Sequence, residues 1–279
     1  RNRLAAISSW RFLLDEAIPL TQRNDLFGDA SRQILSGCLK LEPYPVSRRI
    51  FSSLLFINTF NQVPDNFCEL ALKRQLHFLE KNLEYHLDAN HLLENFMALC
   101  FGYCYFNDLN NFSYYLSKLE AQLNTQILDD GAHFEKCPSY HLNILYRLLL
   151  IFQTADVYFR SNVYLDSLKH SISKMFSWAD QMLLIQANFP LFNDSVYGQN
   201  PDYGQLQSIG KLLSISINEI PLGASGYKKL CQGDFYLILN CGNIMPSYQP
   251  GHLHADMLHM VLYYKNNAIL VDTGISTYE

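Results

Sequence analysis

The spacing of apolar residues changes once along the chain. Up to about residue 190 they recur at steps of three and four, as in Leu72, Leu76, Leu79 and Leu83, which is the pattern of amphipathic helices. Helices are therefore predicted over Arg49–Phe60, Phe67–His86, His91–Phe106, Asn111–Gln126, Tyr140–Phe159 and Leu165–Ile185. Short polar links separate them, and no fixed-period repeat occurs, so the pattern indicates helical hairpins in a solenoid or a closed toroid rather than a consensus repeat array.

Beyond about Ser225 the pattern is typical of strands. Phe235–Leu239 is a compact apolar run, and Met257–Tyr264 and Ala268–Val271 flank a three-residue turn, as in a β-hairpin. Residues 190–210 are expected to form a loop and crossover. The prediction is an α+β chain with a helical domain at 1–190, a linker at 191–224 and the beginning of an antiparallel β-domain at 225–279. Because so few strands leave sheet edges open, we expect the sheet to continue beyond Glu279.

Composition and charge limit the classes of ligand that the chain is expected to bind. The 279 residues are 49% hydrophobic, carry a net charge of −5 and have a pI of about 6.0, which suits a globular protein with a large core. Without a Lys/Arg-rich run, nucleic-acid binding is not expected, and an acidic ligand must be held by local arginines, histidines and amides. No apolar run approaches the roughly 18 residues of a membrane span.

Cysteine usage and the first residue leave the compartment open. The seven cysteines are odd in number and include no CxxC pair, so buried thiols are expected, which leans toward a reducing compartment. Arg1 is not a natural start, so the sequence is compatible with an export signal upstream.

Two groups of polar residues stand where helices are expected to begin. Asn90 and His91 open the helix over 91–106, with Glu94 in its first turn. The structural alternative is that Asn90 is the N-cap, that Glu94 complements the helix dipole and that His91 is a partly buried histidine.

Tyr140 and His141 open the following long helix, after the turn at Asp130-Gly131. Backbone N–H groups and the dipole at a helix N-terminus favour anions, so this position suits an acidic ligand. The alternative is an ordinary helix capped by Ser139.

His252 and His254 form an HxH pair between a loop and a strand. Residues two apart face the same side of a strand, so both rings can converge on one site. Asp272 follows at the end of the hairpin and could return its carboxylate toward them, which makes zinc a candidate ligand. HxH pairs also occur by chance.

Arg48 and Arg49 follow Pro43 at the start of another helix. The planar forks of arginine suit carboxylate or sulfate groups. Solvated surface charge is an equally good explanation.

Five strings in this order resemble those of the heparinase II/III and alginate lyase family of polysaccharide lyases: PYPVSRR, NLEYHLDANHLLEN, QILDDGAHFEKCPSYH, LFNDSVYG and GHLHADMLHMVLYYKNNAILVDTGISTYE. They extend from about residue 43 to 279, and ordered motifs are more specific than any one alone. The resemblance implies an incomplete (α/α) toroid followed by an antiparallel β-sandwich. It also implies β-elimination of an acidic, uronic-acid-containing polysaccharide, in the periplasm or cell envelope, with the cytoplasm left open and no oligomeric state specified.

The resemblance also implies roles for individual residues. Asn90 and His91 would bind and neutralise the C5 carboxylate, Tyr140 would act as acid and base, and His252 would assist proton abstraction or carboxylate binding. Zinc would brace the β-domain through His254 and Asp272, with a further histidine expected beyond Glu279. The residues implied in substrate binding are Arg48, Glu94, His141 and Asn193.

β-Elimination at a 4-linked uronate requires an acid, a base and neutralisation of the carboxylate. A tyrosinate base would need nearby positive charge, from Arg48 or a protonated histidine. Two other functions stay open. One is a glycan-binding or surface-polysaccharide biosynthesis protein that has lost turnover. The other is a zinc hydrolase using His252, His254 and Asp272.

Overall fold

The computed structural model describes residues 42–59, 66–159, 165–184, 188–198, 200–248, 251–252, 254 and 257–274. Within them the chain is helical first and then forms one antiparallel sheet. The helices are α1 Pro43–Thr59, α2 Asn66–Lys81, α3 Ala89–Tyr105, α4 Leu109–Gln126, α5 Pro138–Phe159, α6 Asp166–Met182 and α7 Tyr203–Leu212. The strands are β1 Tyr227–Gln232, β2 Phe235–Asn240, β3 Met260–Tyr264 and β4 Asn267–Leu270. The predicted α+β class is confirmed.

The chain divides into two compact units, residues 1–119 and 120–279, with the boundary inside α4. In the first unit, α1, α2 and α3 pack together around fully buried apolar side chains. Phe51 of α1 stacks on Phe101 of α3 with ring centroids 4.9 Å apart. Beside it, a Cβ at Gly102 would come within 2.4 Å of the Leu76 side chain, so glycine lets α2 and α3 approach closely. This packing holds α3 against α1 and α2, and the predicted Asn90 and His91 lie at the other end of α3.

In the second unit, α5 packs against α6 and α7. Trp178 of α6 is fully buried, and its ring centroid lies 6.0 Å from that of Tyr227 in β1. Tyr227 in turn stacks on Phe192 at 5.3 Å. This aromatic column joins the helices, the loop after residue 188 and the sheet within one unit.

The strands run in the order β1-β2-β3-β4, all antiparallel, with Tyr227 opposite Asn240 and Phe235 opposite Tyr264. The β3–β4 hairpin is confirmed, but its turn has two residues rather than the predicted three, because Asn267 is the first residue of β4. The turn residues Lys265 and Asn266 have φ of 45° and 67°. Two consecutive positive φ values are the backbone of the two-residue turn that matches strand twist. Residues 257 and 258 form a turn, so β3 begins three residues later than predicted.

One helix prediction and one loop prediction were wrong in part. The helix predicted to reach His86 ends at Lys81, because the Asn82 side chain bonds the carbonyl of Phe78 and the Glu84 N–H bonds the Asn95 side chain. The loop predicted for 190–210 contains most of α7, which Asp202 caps by accepting from the Gln205 N–H at 2.8 Å.

The thiol prediction holds for Cys68, Cys100, Cys104 and Cys137, which are buried, whereas Cys241 is half-buried and Cys231 is exposed. The predicted bounds at 190 and 224 stay predictions. Predictions for residues 1–41 and for the helix ends at Phe60 and Ile185 lie outside the described residues. None of the helices in the described ranges is long and apolar enough to cross a membrane.

Candidate active site

The start of α3 has an unusual backbone. Asp88, at the N-cap position, has φ 54° and ψ −144°, and Ala89 has φ 47°. Such values cost non-glycine residues on the order of 1–3 kcal/mol each and gather at functional sites. Asn90 is therefore inside the helix and not its N-cap, contrary to the structural alternative. Asn90 is half-buried, and the His91 side chain is 31% exposed.

A buried polar network holds the His91 side chain from the protein interior. Its Nδ1 lies 3.2 Å from Oε1 of Glu84, whose side chain is 5% exposed. Asn95 is fully buried and donates to Oε2 of the same carboxylate at 2.9 Å and to the Ser47 hydroxyl at 3.1 Å. The Tyr44 ring covers His91 at a centroid distance of 4.6 Å. Residues from α1, α3 and the turn between α2 and α3 thus hold one imidazole.

Arg48 and Glu94 form the second feature of this unit. The Arg48 guanidinium is 46% exposed and 4.0 Å from the Glu94 carboxylate, whose side chain is 3% exposed. Burial raises the pKa of Glu94 to about 8, and the Arg48 charge acts in the opposite direction. The carboxyl is therefore mostly neutral at pH 7. The Arg48 guanidinium is exposed enough to bind an anion. The Glu94 side chain, which was predicted to contact substrate, is buried inside the protein.

In the second unit, Tyr140 and His252 meet around a carboxylate. The Tyr140 hydroxyl donates to Oδ2 of Asp194 at 3.2 Å and lies 3.5 Å from Nδ1 of His252. Nδ1 of His252 is 2.8 Å from the same Oδ2, while Nε2 of His254 is 2.9 Å from Oδ1. The Asp194 side chain is 3% exposed and the two imidazoles are 25% and 29% exposed. One buried carboxylate therefore orients three of the predicted site residues.

The loop that carries Asp194 is tied to the start of α5. The Ser139 N–H donates to the Ser195 hydroxyl at 3.2 Å, and the Val196 N–H donates to the Ser139 hydroxyl at 3.0 Å. Ser139 thus anchors this loop, whereas the structural alternative made it the cap of α5. The helix begins with Pro138, which suits the first helical turn because proline has no N–H to satisfy.

Lys136 and Asn193 complete this support. Asn193 has φ 56°, donates to the Lys136 carbonyl at 3.0 Å and accepts from the His254 N–H at 3.3 Å. The Lys136 ammonium reaches the Asn243 carbonyl at 2.5 Å. Asn193 is completely buried, so these hydrogen bonds give it a structural position beneath the site and not at its surface.

His141 is also interior. Its Nδ1 accepts from the His133 N–H at 3.3 Å, and its Nε2 lies 2.9 Å from the Met175 carbonyl. Burial lowers the pKa of His141 to about 4 and that of His133 to about 3, so both rings are neutral near pH 7. With both nitrogens committed, His141 connects α5 to α6, and the structure gives it no free group for the predicted substrate contact.

The predicted zinc ligands have protein partners. His254 bonds to Asp194, and Oδ2 of Asp272 lies 3.3 Å from Nε2 of His259. Across the ranges the structure describes, no group of three or more His, Cys, Asp and Glu side chains is placed to hold a metal ion. A protein zinc site uses at least three such ligands, so the described residues do not by themselves make one, and zinc stays a prediction.

Asn90 and His91 belong to the first unit, and Tyr140 and His252 belong to the second. That all four act on one substrate, as the roles implied by the resemblance require, stays a prediction. What each unit contains is an imidazole whose Nδ1 meets a buried carboxylate: Glu84 for His91 and Asp194 for His252.

Sequence reasoning missed the residues behind these imidazoles. Glu84, Asn95 and Asp194 all lie inside the five family-like sequence motifs, so the available signal was their position near a candidate site residue. Asp194 directly follows Asn193, and Asn95 is four residues, about one helical turn, after His91. Side chains at that spacing share a helix face.

Comparison with known proteins identifies the family. Residues 45–213 match the model described as heparinase II/III N-terminus, and residues 218–279 match the model described as heparinase II/III-like, C-terminal. The chain belongs to the heparinase II/III family. No curated protein shows significant similarity to the chain.

Several solved structures share the fold of this chain. Heparan sulfate lyase HepC from Pedobacter heparinus matches with a TM-score of 0.60 and 19% identity, over 85% of this chain and 41% of its own. A mutant of the same lyase matches with a TM-score of 0.65 and 17% identity, over 95% of this chain and 45% of its own. The heparinase III BT4657 gene product matches with a TM-score of 0.60 and 17% identity, over 92% of this chain and 45% of its own. At these identities the likeness is one of fold, and the chain spans less than half the length of these structures.

Proposed function

We propose that this chain is part of a polysaccharide lyase that cleaves a uronic-acid-containing glycan by β-elimination. The observation that carries the proposal is the contact of a phenol, an imidazole and a buried carboxylate at Tyr140, His252 and Asp194. Binding alone does not require an acid next to a base. The family match and the heparan sulfate lyases among the structural relatives support the substrate class.

The reaction assigns a task to each group. A base removes the C5 proton, the electron pair of that C–H bond forms the C4=C5 double bond, and the C4–O4 bond breaks as an acid protonates O4. Tyr140 carries a proton in its hydrogen bond to Asp194 and so can serve as the acid. His252, whose Nδ1 meets Asp194, offers Nε2 as the base. Asn90 and His91 would neutralise the carboxylate and stabilise the enolate that develops on it.

The test is a search for the product chromophore. Elimination leaves a 4,5-unsaturated uronate that absorbs in the near ultraviolet, whereas hydrolysis gives saturated ends. Heparan sulfate, hyaluronan, chondroitin and alginate should be incubated with the full-length protein, and at least one should give rising absorbance. Oligosaccharide affinity without product on any polymer would contradict the proposal and favour a glycan-binding protein instead.

Tyr140→Phe then tests the acid. The change removes only the hydroxyl, so turnover should fall by about 10²–10⁴-fold, while KM changes little because the ring remains. Tyr146→Phe is the matched control, since Tyr146 is a half-buried tyrosine of the same helix. Turnover of Tyr140→Phe within a few-fold of the control would remove Tyr140 from the mechanism.

A further inference from the structure

His91 has one anchored edge and one accessible edge. Its Nδ1 meets Oε1 of Glu84 at 3.2 Å, and the Tyr44 ring lies 4.6 Å away and tilted by 35°. The imidazole is 31% exposed while the Glu84 side chain is 5% exposed. The ring is therefore held from the protein interior, and Nε2 is the nitrogen left for a ligand.

Asn95 fixes the orientation of Glu84. The Glu84 N–H donates to Oδ1 of Asn95 at 3.0 Å, which determines which end of the amide is which. Nδ2 must then donate, and it does so to Oε2 of Glu84 at 2.9 Å and to the Ser47 hydroxyl at 3.1 Å. Asn95 is fully buried, so this arrangement is protected from competing water. The two carboxylate oxygens consequently serve different donors, Asn95 on one side and His91 on the other.

We infer that Glu84 is a positioning residue that keeps the hydrogen of His91 on Nδ1. A carboxylate accepts hydrogen bonds and does not donate them, so the neutral Nε2–H tautomer is disfavoured. Opposite a substrate carboxylate, Nε2 can donate only after it too is protonated, which gives His91 a full positive charge. Glu84 thus makes His91 a charge-neutralising group rather than a neutral donor. This inference rests on the proposed function for its substrate, though not for the tautomer.

Glu84→Gln tests the inference with almost no change in shape. Because the backbone bond fixes Asn95, the new NH2 group must face either Nδ2 of Asn95 or Nδ1 of His91. Facing the ring, it makes Nδ1 an acceptor and moves the hydrogen to Nε2. The readout is the ¹⁵N spectrum of the imidazoles in the full-length protein, with the His91 signals identified by their loss in His91→Gln. Nδ1 should carry the hydrogen of the neutral ring in the wild type, and Nε2 should carry it in Glu84→Gln.

The double variant Glu84→Gln/Asn95→Asp should restore the original tautomer. The aspartate introduced at position 95 would accept from the backbone N–H and from the NH2 group of the glutamine introduced at position 84. The carbonyl oxygen of that glutamine then turns back to accept from His91. On a cleaved uronate polymer, Glu84→Gln should lower kcat by about 10–100-fold, the size typical of lost orienting partners. The double variant should recover most of that loss. Glu80→Gln is the matched control, because Glu80 is held by Tyr103 and Tyr115 and does not contact His91.

A wild-type spectrum with the neutral hydrogen on Nε2 would overturn the inference, and this result does not depend on how the Glu84 variants fold. A folded Glu84→Gln that keeps the hydrogen on Nδ1 would also overturn it, as would a double variant that folds and stays in the Nε2–H form. If the tautomers change as expected but no uronate polymer is cleaved, the positioning role stands and the proposed function fails.

Discussion

Replacing Glu94 with Gln should stabilise the folded chain, and the gain should grow as the pH rises from 5 to 8. Burial raises the pKa of this carboxyl from 4.5 to about 8, with Arg48 acting in the opposite direction. The unfolded chain ionises Glu94 near its ordinary pKa, so between these values the folded state keeps a proton that the unfolded state releases. The contribution of Glu94 to stability is therefore fully present below about pH 4.5 and is lost as the pH rises toward 8.

The magnitude follows from the two pKa values. Their difference, at 1.36 kcal/mol per pH unit, gives a ceiling of about 5 kcal/mol above pH 8. About 2–3 kcal/mol of that should appear between pH 5 and pH 7. Glutamine has nearly the same shape and no charge to bury. One contact that the glutamine weakens is the 4.0 Å pair with Arg48, whose guanidinium is 46% exposed, and this pair is worth about 1 kcal/mol or less.

The assay is urea unfolding of wild type and Glu94→Gln at pH 5, 6, 7 and 8, with the difference in unfolding free energy plotted against pH. Glu69→Gln serves as the control, because Glu69 in α2 is 42% exposed and pairs with an exposed lysine, so its difference should be nearly flat. A flat line for Glu94→Gln would refute the reasoning, since it would mean that Glu94 ionises equally in both states.

Two further substitutions test the second unit. Gly131 has φ +92°, and a Cβ there would lie 1.9 Å from the Lys174 carbonyl oxygen. Gly131→Ala should therefore lower the free energy of unfolding, measured by thermal unfolding, by several kcal/mol. This loss should exceed that of the control Gly198→Ala by at least about 2 kcal/mol. Gly198 has φ +76° with open space around it, so it reports the backbone cost alone, and equal losses would contradict the clash. Asp194→Asn should lower kcat by about 10–100-fold with KM little changed, because one of the two carboxylate oxygens that orient Tyr140, His252 and His254 becomes an NH2 group. A change in KM alone would argue against orientation.

The sequence was sufficient where local patterns decide the structure. Three- and four-residue spacing located α1 to α6, and the Lys265-Asn266-Asn267 segment located the β3–β4 hairpin to within one residue, because each pattern requires only neighbours within a few residues. The same reasoning failed at α7, whose Tyr203 and Leu206 are buried against the rest of the second unit. A ten-residue helix with two glycines has a weak local signal, and packing against α5 stabilises it instead.

The candidate site likewise contains residues that the sequence indicated and residues that only the structure revealed. Asn90, His91, Tyr140 and His252 were visible because ordered motifs carry them along the chain. Their supporting carboxylates were not, since a glutamate or aspartate alone in sequence is usually solvated surface. Burial beside an imidazole gives Glu84 and Asp194 their roles, and Asp194 and His252 are 58 residues apart. Burial also removed His141 and Asn193 from the surface. The candidate residues could thus be chosen from local sequence, whereas the groups that contact and orient them depend on contacts that only the folded chain creates.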